Sequence, residues 1–237
     1  MLETLNVKIF ADGADIEGIQ KLKANSNIVG FTTNPTLMRA AGVENYSEFA
    51  KSLIKEVGDA PISFEVFSDD LDEMYDQAKI ISSWGNNVNV KIPVMNTKGL
   101  FTGPIISKLS NLGITLNITA IMTVEQVREI ASVLNPDAKS IISVFAGRIA
   151  DTGIDPIPVM KHCLKELTAH PNAELLWASP REVLNIFQAD QAGCHIITVA
   201  HDLLKKTDLL GKNLEEYSKE TVEMFYKDAL AANYKIN

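Results

Sequence analysis

The sequence has few cysteines, no long apolar run and no basic leader. Only two cysteines occur in the 237 residues, Cys163 and Cys194, and they form neither a CxxC motif nor a disulfide framework. We interpret both as reduced thiols in the core. No apolar run reaches the roughly 18 residues of a membrane span, and the N-terminus lacks the regions of a signal peptide. These absences predict a cytoplasmic protein without a membrane partner.

Basic residues and clustered metal ligands are also scarce. Lysine and arginine number 22 against 30 aspartates and glutamates, so the formal net charge is −8. No basic patch or run is visible, which argues against nucleic acid as a partner. An acidic chain can still bind phosphate through a few arginines or helix N-termini. The four histidines are scattered without zinc-like spacing, so we expect no metal site.

What the sequence does contain is aliphatic residues in short runs. Hydrophobic residues make up 46% of the chain and aromatics only 7%, so aliphatic packing dominates one large core. Helical patterns mostly separate eight apolar segments, which are Val7–Ala11, Ile28–Thr32, Ile62–Phe67, Val88–Val94, Thr115–Thr119, Ser140–Phe145, Leu175–Ala178 and His195–Val199.

The alternation of strands and helices predicts a parallel sheet buried on both faces. Eight repeats favour a closed (β/α)8 barrel, and no GxGxxG motif follows a strand as an open dinucleotide-binding sheet requires. We predict a single barrel domain over residues 1–237. An extra amphipathic helix at about residues 214–232 either covers the barrel or reaches a neighbouring subunit, and we expect a homo-oligomer.

Two helices are the clearest, over Asp69–Trp84 and Thr123–Leu134. Asp69 and Thr123 are expected N-caps because their side chains can accept from free N–H groups of the first turn. Thr123 and Gln126 also have the spacing of a capping box.

The fourth apolar segment contains a lysine, Lys91, inside a predicted buried strand. Lysine is almost never fully buried unless it is paired. It can pair structurally with a carboxylate such as Glu65, or extend out of a sheet edge. Alternatively it lies at a dry strand end with a lowered pKa, as a neutral amine that attacks a carbonyl.

Polar residues recur at the carboxyl ends of the predicted strands, where the active site of a barrel forms. A ring of such residues facing one mouth is hard to explain as packing. In strand order they are Asp12, Thr32 to Asn34, Glu65, Lys91, Asn117 with Thr119, Ser143 with Arg148, and Ser179 with Arg181.

Each member alone also has a structural explanation. Asn34 precedes a proline, as a helix-entry residue does, and Asp12 stands in an Asp-Gly turn. The hydroxyls of Thr119 and Ser143 can bond to the backbone. The recurrence at successive strand ends is what favours a site.

These residue types suit chemistry on a ketose. A neutral Lys91 amine can form a Schiff base, which acts as an electron sink for carbon–carbon cleavage. Asp12 suits the base that takes the hydroxyl proton beside the broken bond. Glu65 and Thr119, with a water, are candidates for the proton shuttle that dehydrates the carbinolamine.

Other polar residues suit substrate binding. The amides of Asn34 and Asn117 can hold hydroxyls without changing the charge. Arg148 and Arg181 are planar donors suited to a phosphate. Ser179, expected just before a helix start, adds a hydroxyl near free N–H groups.

On these residues the chain resembles the transaldolase family, especially its short branch that also contains fructose-6-phosphate aldolase. The combination of Thr-Asn-Pro with Lys-Ile-Pro on the fourth strand is specific. The matching segments follow the family's order and are Phe10–Asp15, Gly30–Thr36, Ser63–Val66, Val90–Pro93, Leu116–Thr119, Ser143–Arg148 and Ala178–Arg181.

The resemblance implies a (β/α)8 barrel and a cofactor-free Schiff-base mechanism on sugar phosphates. It implies Lys91 as nucleophile, Asp12 as acid and base, and Glu65 with Thr119 positioning the catalytic water. The implied substrate residues are Asn34, Asn117 and Ser143 for the dihydroxyacetone unit, and Arg148, Ser179 and Arg181 for the phosphate.

Two positions bear on the choice between transfer and release. The aldolase branch typically has Gln at the position of Glu65 and Tyr at that of Phe145, so the pair here is transaldolase-like. The chain departs from the family at Pro180, where bulkier apolar residues are common and where proline offers no N–H. We expect a transaldolase of the pentose phosphate pathway; the alternatives are an aldolase that releases dihydroxyacetone and a non-catalytic sugar-phosphate-binding barrel.

Overall fold

A computed structural model describes residues 2–236, and its centre is a closed barrel of eight parallel strands. Each strand pairs with its neighbours in the chain, and β1 closes the ring with β8. The predicted (β/α)8 fold is confirmed, and every predicted strand end lies within two residues of the observed one. The strands are β1 (Lys8–Asp12), β2 (Ile28–Thr32), β3 (Ile62–Glu65), β4 (Val88–Pro93), β5 (Leu116–Ile121), β6 (Ser140–Val144), β7 (Ala173–Trp177) and β8 (Ile196–Ala200).

Helices follow the strands, and those that precede β8 in the chain cover the outside of the barrel. None of the helices that the structure describes is long and apolar enough to span a membrane. They are α1 (Ile16–Lys23), α2 (Pro35–Ala40), α3 (Tyr46–Val57), α4 (Leu71–Ser82), α5 (Gly103–Asn111), α6 (Val124–Val133), α7 (Ala146–Asp151), α8 (Pro156–Glu166), α9 (Leu184–Ala192), α10 (His201–Lys205) and α11 (Leu214–Ala231).

The helix starts test the predicted caps. Thr123 and Gln126 form the predicted capping box at α6: the Thr123 hydroxyl accepts from the Gln126 N–H at 3.2 Å, and the Gln126 amide oxygen accepts from the Thr123 N–H at 3.1 Å. The prediction for Asp69 is wrong, because Asp70 accepts the N–H groups of the first turn of α4. The Asp69 carboxylate instead accepts from the N–H and hydroxyl of Thr97, at 2.7 and 2.8 Å. That contact ties down the loop after β4.

The strands have two apolar faces. Their outward side chains pack with the helices into the main core, which includes both cysteines, as predicted. A separate inner cluster of Phe10, Ile141, Leu176 and Ile196 fills the barrel. Gly30 leaves room for Phe10, since a Cβ at that position would lie 2.6 Å from its ring. Packed apolar side chains therefore lie inside the barrel, beneath its carboxyl end.

The residues from Lys205 onward form a second compact unit. It contains a 3₁₀ turn at Lys206–Leu209 and the predicted C-terminal helix, α11, which ends one residue before the expected position. Asn213 caps α11 by accepting from two N–H groups at 2.9 and 3.1 Å. The residues expected on its apolar side are exposed, namely Tyr217, Met224, Phe225 and Leu230. The homo-oligomer stays a prediction.

Candidate active site

A cavity of about 550 Å³ lies at the carboxyl ends of the strands. Ten of the eleven predicted site residues line it, and only Arg181 does not. A larger cavity of about 860 Å³ is lined by residues from the amino ends of the strands and contains none of the predicted site residues. The predicted residues that line the first cavity are Asp12, Asn34, Glu65, Lys91, Asn117, Thr119, Ser143, Phe145, Arg148 and Ser179.

Lys91 lines the cavity and is only 8% exposed. Its Nζ donates to the carbonyl oxygen of Thr33 at 3.1 Å and lies 3.2 Å from Oε2 of Glu65. Glu65 and Lys91 are register partners on β3 and β4, which puts the two side chains side by side. The sheet-edge alternative is excluded because the barrel is closed. The carboxylate pairing is correct, and it lies inside the cavity.

Asp12 ends β1 in the same cavity. Burial raises the pKa of its carboxyl group, and the nearby Lys91 charge, the Thr32 hydrogen bond and the His201 charge oppose that rise. The Thr32 hydroxyl donates to Asp12 Oδ1 at 2.7 Å and also contacts the Thr198 hydroxyl. The Asp12 carboxylate is therefore shielded from solvent and held in one orientation, which suits a base that takes a proton from a hydroxyl.

Thr198 is a residue of this site that the sequence analysis did not name, and Thr32 was named at a strand end without a role. Both line the cavity and support Asp12. The signal was available in the period-two pattern: Thr198 alternates with Ile196, which belongs to the inner cluster, so its side chain also points inward.

Three polar side chains, from β3, β5 and β6, form a hydrogen-bonded row. Asn117 donates from Nδ2 to the Ser63 hydroxyl at 3.0 Å and accepts from the Ser143 hydroxyl at 2.7 Å. The Ser143 hydroxyl thus bonds to a side chain and not to the backbone, which was its structural alternative, and the two bonds fix the orientation of the Asn117 amide. Thr119 Oγ1 is buried without a partner in the described part of the chain. A free hydroxyl in a cavity suits a bound water.

Asn34 has a structural role as well as a place in the cavity. Its Oδ1 accepts from the Leu37 N–H at 3.0 Å and caps α2, as the helix-entry alternative predicted. The residue also lines the cavity. Because only the oxygen is used in the cap, the amide nitrogen stays available to a ligand.

The two arginines have different surroundings. Arg148, on α7, lines the cavity, and its guanidinium lies 5.4 Å from the ring centre of Phe145. Arg181 lies outside the cavity lining and forms a two-point ion pair with Asp151, in which Nε donates to Oδ1 at 3.1 Å. The predicted phosphate contact of Arg181 thus stays a prediction, whereas Arg148 is already at the cavity.

Ser179 lines the cavity at a strained position with φ of 57°. The expected helix start directly after it is wrong, because α9 begins only at Leu184 and a turn intervenes. The Ser179 carbonyl passes so close to Gly147 that a Cβ there would lie 1.5 Å from the carbonyl oxygen. Glycine at position 147 therefore allows the backbone of Ser179, which lines the cavity, to pack directly against α7.

The cavity holds an amine, two carboxylates, hydroxyls, amides and a guanidinium. Within residues 2–236 no group of three or more His, Cys, Asp or Glu could hold a metal ion. Both thiols are buried, which raises the pKa of Cys163 and of Cys194 to about 12. An amine between two carboxylates can serve as a nucleophile with its own acid and base.

Comparison with known proteins agrees with this geometry. The chain is 33% identical over 218 residues to a probable transaldolase 2 of Listeria monocytogenes, covering 90% of this chain and 95% of the relative. It is 31% identical over 225 residues to a probable transaldolase of Clostridium acetobutylicum, covering 93% and 100%. Such relatives support a transferase- or aldolase-type enzyme.

The barrel itself resembles more distant structures. A dihydrodipicolinate synthase from Rhodopseudomonas palustris superposes with a TM-score of 0.58 at 14% identity, over 98% of this chain and 82% of the other. That likeness concerns the fold alone. The family model described as Transaldolase/Fructose-6-phosphate aldolase matches residues 9–236. The chain belongs to the transaldolase and fructose-6-phosphate aldolase family.

Proposed function

We propose that this protein is a transaldolase. It takes a dihydroxyacetone unit from a ketose phosphate, fructose 6-phosphate or sedoheptulose 7-phosphate, and gives it to an aldose phosphate, erythrose 4-phosphate or glyceraldehyde 3-phosphate. The unit is carried as a Schiff base on Lys91, in the pentose phosphate pathway of the cytoplasm. The observation that carries the proposal is the buried Lys91 Nζ in the cavity, 3.2 Å from Glu65.

The first half of the reaction loads the lysine. Glu65 takes a proton from Lys91, and the neutral amine attacks the ketose carbonyl carbon to give a carbinolamine. Loss of water from that carbinolamine gives the iminium ion. Glu65 and the unpaired hydroxyl of Thr119 support this step, because Glu65 can protonate the carbinolamine hydroxyl and Thr119 can hold the water that leaves.

The second half breaks and remakes a carbon–carbon bond. Asp12 accepts the proton of the hydroxyl next to that bond, the bond breaks toward the iminium, and the aldose phosphate leaves. The enamine that remains attacks the acceptor aldehyde, and Asp12 returns the proton to the new hydroxyl. Water then hydrolyses the new iminium ion, which releases the ketose phosphate and restores Lys91. A buried, oriented carboxylate with a raised pKa supports this use of Asp12, because it both takes and returns a proton readily.

The rest of the cavity supports binding of the two ends of the substrate. Asn117 and Ser143 line the cavity and offer an amide and a hydroxyl to the dihydroxyacetone unit, and both groups are fixed by their bonds to each other and to Ser63. Asn34 adds a free amide nitrogen. Arg148 offers the cation for the phosphate.

Borohydride trapping tests the lysine. Incubation with fructose 6-phosphate and sodium borohydride is expected to add one reduced adduct per chain, located by peptide mass spectrometry on Lys91. The Lys91→Met variant is expected to give none. Absence of an adduct on the unmodified protein, or equal labelling of the variant, contradicts the proposal and favours a non-catalytic binding barrel.

Transfer is distinguished from release by the acceptor. Glyceraldehyde 3-phosphate formation from fructose 6-phosphate is measured with and without erythrose 4-phosphate. We expect turnover to depend on the acceptor, because Phe145 lacks a hydroxyl that helps protonate and free the enamine. Strong turnover without acceptor contradicts transfer and indicates an aldolase, an activity that the family description also includes.

A further inference from the structure

The ladder between β2 and β3 stops early, beside the lysine. Its register pairs are Phe31 with Ile62 and Thr32 with Ser63, and its last bond runs from the Thr33 N–H to the Ser63 carbonyl at 3.1 Å. In a regular parallel ladder the Glu65 N–H would next donate to the Thr33 carbonyl. That bond is missing from the described backbone, because the chain turns into α2 after Thr33.

The backbone carbonyl of Glu65 cannot form its ladder bond to β2 either. Its carbonyl would accept from the residue two after Thr33, which is Pro35 and has no N–H. The backbone of Glu65 therefore faces β2 with one donor and one acceptor that β2 does not match. Unmatched buried backbone groups are costly, so another partner is required.

Tyr46 supplies both bonds with one hydroxyl. Its Oη accepts from the Glu65 N–H at 2.9 Å and donates to the Glu65 carbonyl at 2.8 Å. Meanwhile the Thr33 carbonyl, released from the ladder, accepts Lys91 Nζ at 3.1 Å. The gap between the strands is thus filled from one side by a tyrosine and from the other by the lysine.

The position of the Tyr46 ring is itself determined by packing. Tyr46 is the first residue of α3, and the ring centres of Phe64, Phe67 and Trp84 lie 6.4, 5.4 and 6.0 Å from its own. Burial raises the pKa of the phenol, so the hydroxyl keeps its proton and can donate. A rigid ring with a protonated hydroxyl holds the Glu65 backbone in one place.

We propose that Tyr46 is a positioning residue, whose hydroxyl replaces the missing β2 bonds and thereby holds the Glu65 carboxylate at 3.2 Å from Lys91 Nζ. The inference rests on the proposed function, in which Glu65 exchanges protons with Lys91. It assigns a role in catalysis to a residue outside the cavity lining.

Tyr46→Phe removes the hydroxyl and keeps the ring. We expect kcat for transfer from fructose 6-phosphate to fall roughly tenfold, because a less well held Glu65 carboxylate stabilises the transition state by about 1.4 kcal/mol less, while KM stays within about twofold. Tyr75→Phe, the same change on α4, is the matched control and is expected to leave both constants unchanged. An unchanged kcat in Tyr46→Phe overturns the proposal.

A double-variant cycle separates positioning from general damage. If Tyr46 acts through the carboxylate, Tyr46→Phe has little further effect on kcat in a Glu65→Gln background. An equal loss in both backgrounds overturns the proposal. Should Tyr46→Phe not fold, amide hydrogen exchange of the unmodified protein gives the answer: a slowly exchanging Glu65 amide supports the bond, and an unprotected one overturns it. Failure of the proposed function itself is visible separately, as the absence of a borohydride adduct.

Discussion

Substitution of the two arginines provides a direct test of which one binds the phosphate. Arg148 lines the cavity over the Phe145 ring, whereas Arg181 is paired with Asp151 outside the lining. The described part of the chain offers no carboxylate within ion-pair distance of Arg148. Its charge is therefore available to a phosphate, while that of Arg181 is already neutralised. We predict that Arg148→Ala weakens phosphate recognition far more than Arg181→Ala does.

The expected magnitudes follow from these surroundings. A hydrogen bond to a charged group contributes about 1.5–3 kcal/mol, so loss of the Arg148 guanidinium should lower kcat/KM for fructose 6-phosphate roughly 10- to 150-fold. The Arg181 pair is about half exposed on each side. An exposed pair contributes at most about 1 kcal/mol to stability, and neither partner lines the cavity, so Arg181→Ala should leave kcat/KM nearly unchanged.

The assay compares a phosphorylated and an unphosphorylated donor. The ratio of kcat/KM for fructose 6-phosphate to that for fructose isolates the phosphate term, because both donors carry the same reacting carbons. Arg148→Ala is expected to lower this ratio, and inorganic phosphate is expected to inhibit the variant less. A larger fall for Arg181→Ala than for Arg148→Ala refutes the reasoning and means that Arg181 leaves Asp151 to bind substrate.

Three further predictions concern the base, the cavity wall and the thiols. Thr32→Val removes a hydrogen bond that lowers the Asp12 pKa, so the acid limb of the kcat–pH profile should move to higher pH; an unmoved limb argues against Asp12 as the base. Gly147→Ala forces a Cβ against the Ser179 carbonyl and should destabilise the fold by about 1–3 kcal/mol in urea unfolding and raise KM; unchanged stability contradicts the close approach. The two buried thiols, with pKa about 12, should react with Ellman's reagent only after unfolding, and rapid labelling of the native protein contradicts their burial.

The fold was predictable because the barrel repeats one local pattern. Each strand is a short aliphatic run, and the capping signal at Thr123 marks a helix start through local hydrogen bonds alone. Such signals depend only on neighbours in the chain. The wrong N-cap prediction at Asp69 has a non-local cause. Two adjacent aspartates can cap the same helix, and Asp69 instead bonds to Thr97, which lies 28 residues away in the chain.

The site was predictable wherever strand order decides position. Lys91, Asp12 and Asn117 meet because the carboxyl ends of parallel strands form one mouth. The remaining features of the site depend on contacts between residues far apart in the chain, which a local sequence pattern does not predict. The pair of Arg181 with Asp151 joins a loop to the end of α7, and the hydroxyl of Tyr46 reaches β3 from the start of a helix.

The charge balance around Lys91 explains how one arrangement can serve a whole reaction cycle. The lysine ammonium and the iminium ion of the proposed intermediate both carry one positive charge, so the Glu65 contact that stabilises the first also stabilises the second. The neutral amine, the carbinolamine and the enamine of the proposed cycle lack that charge; at the amine stage Glu65 holds the proton taken from Lys91, and at the enamine stage Asp12 holds the proton taken from the substrate. Because burial keeps the pKa of Asp12 raised even beside Lys91, the second carboxylate is the one suited to trade protons with the substrate. The cavity therefore needs no large rearrangement between steps, which is consistent with side chains fixed on neighbouring strands of a closed barrel.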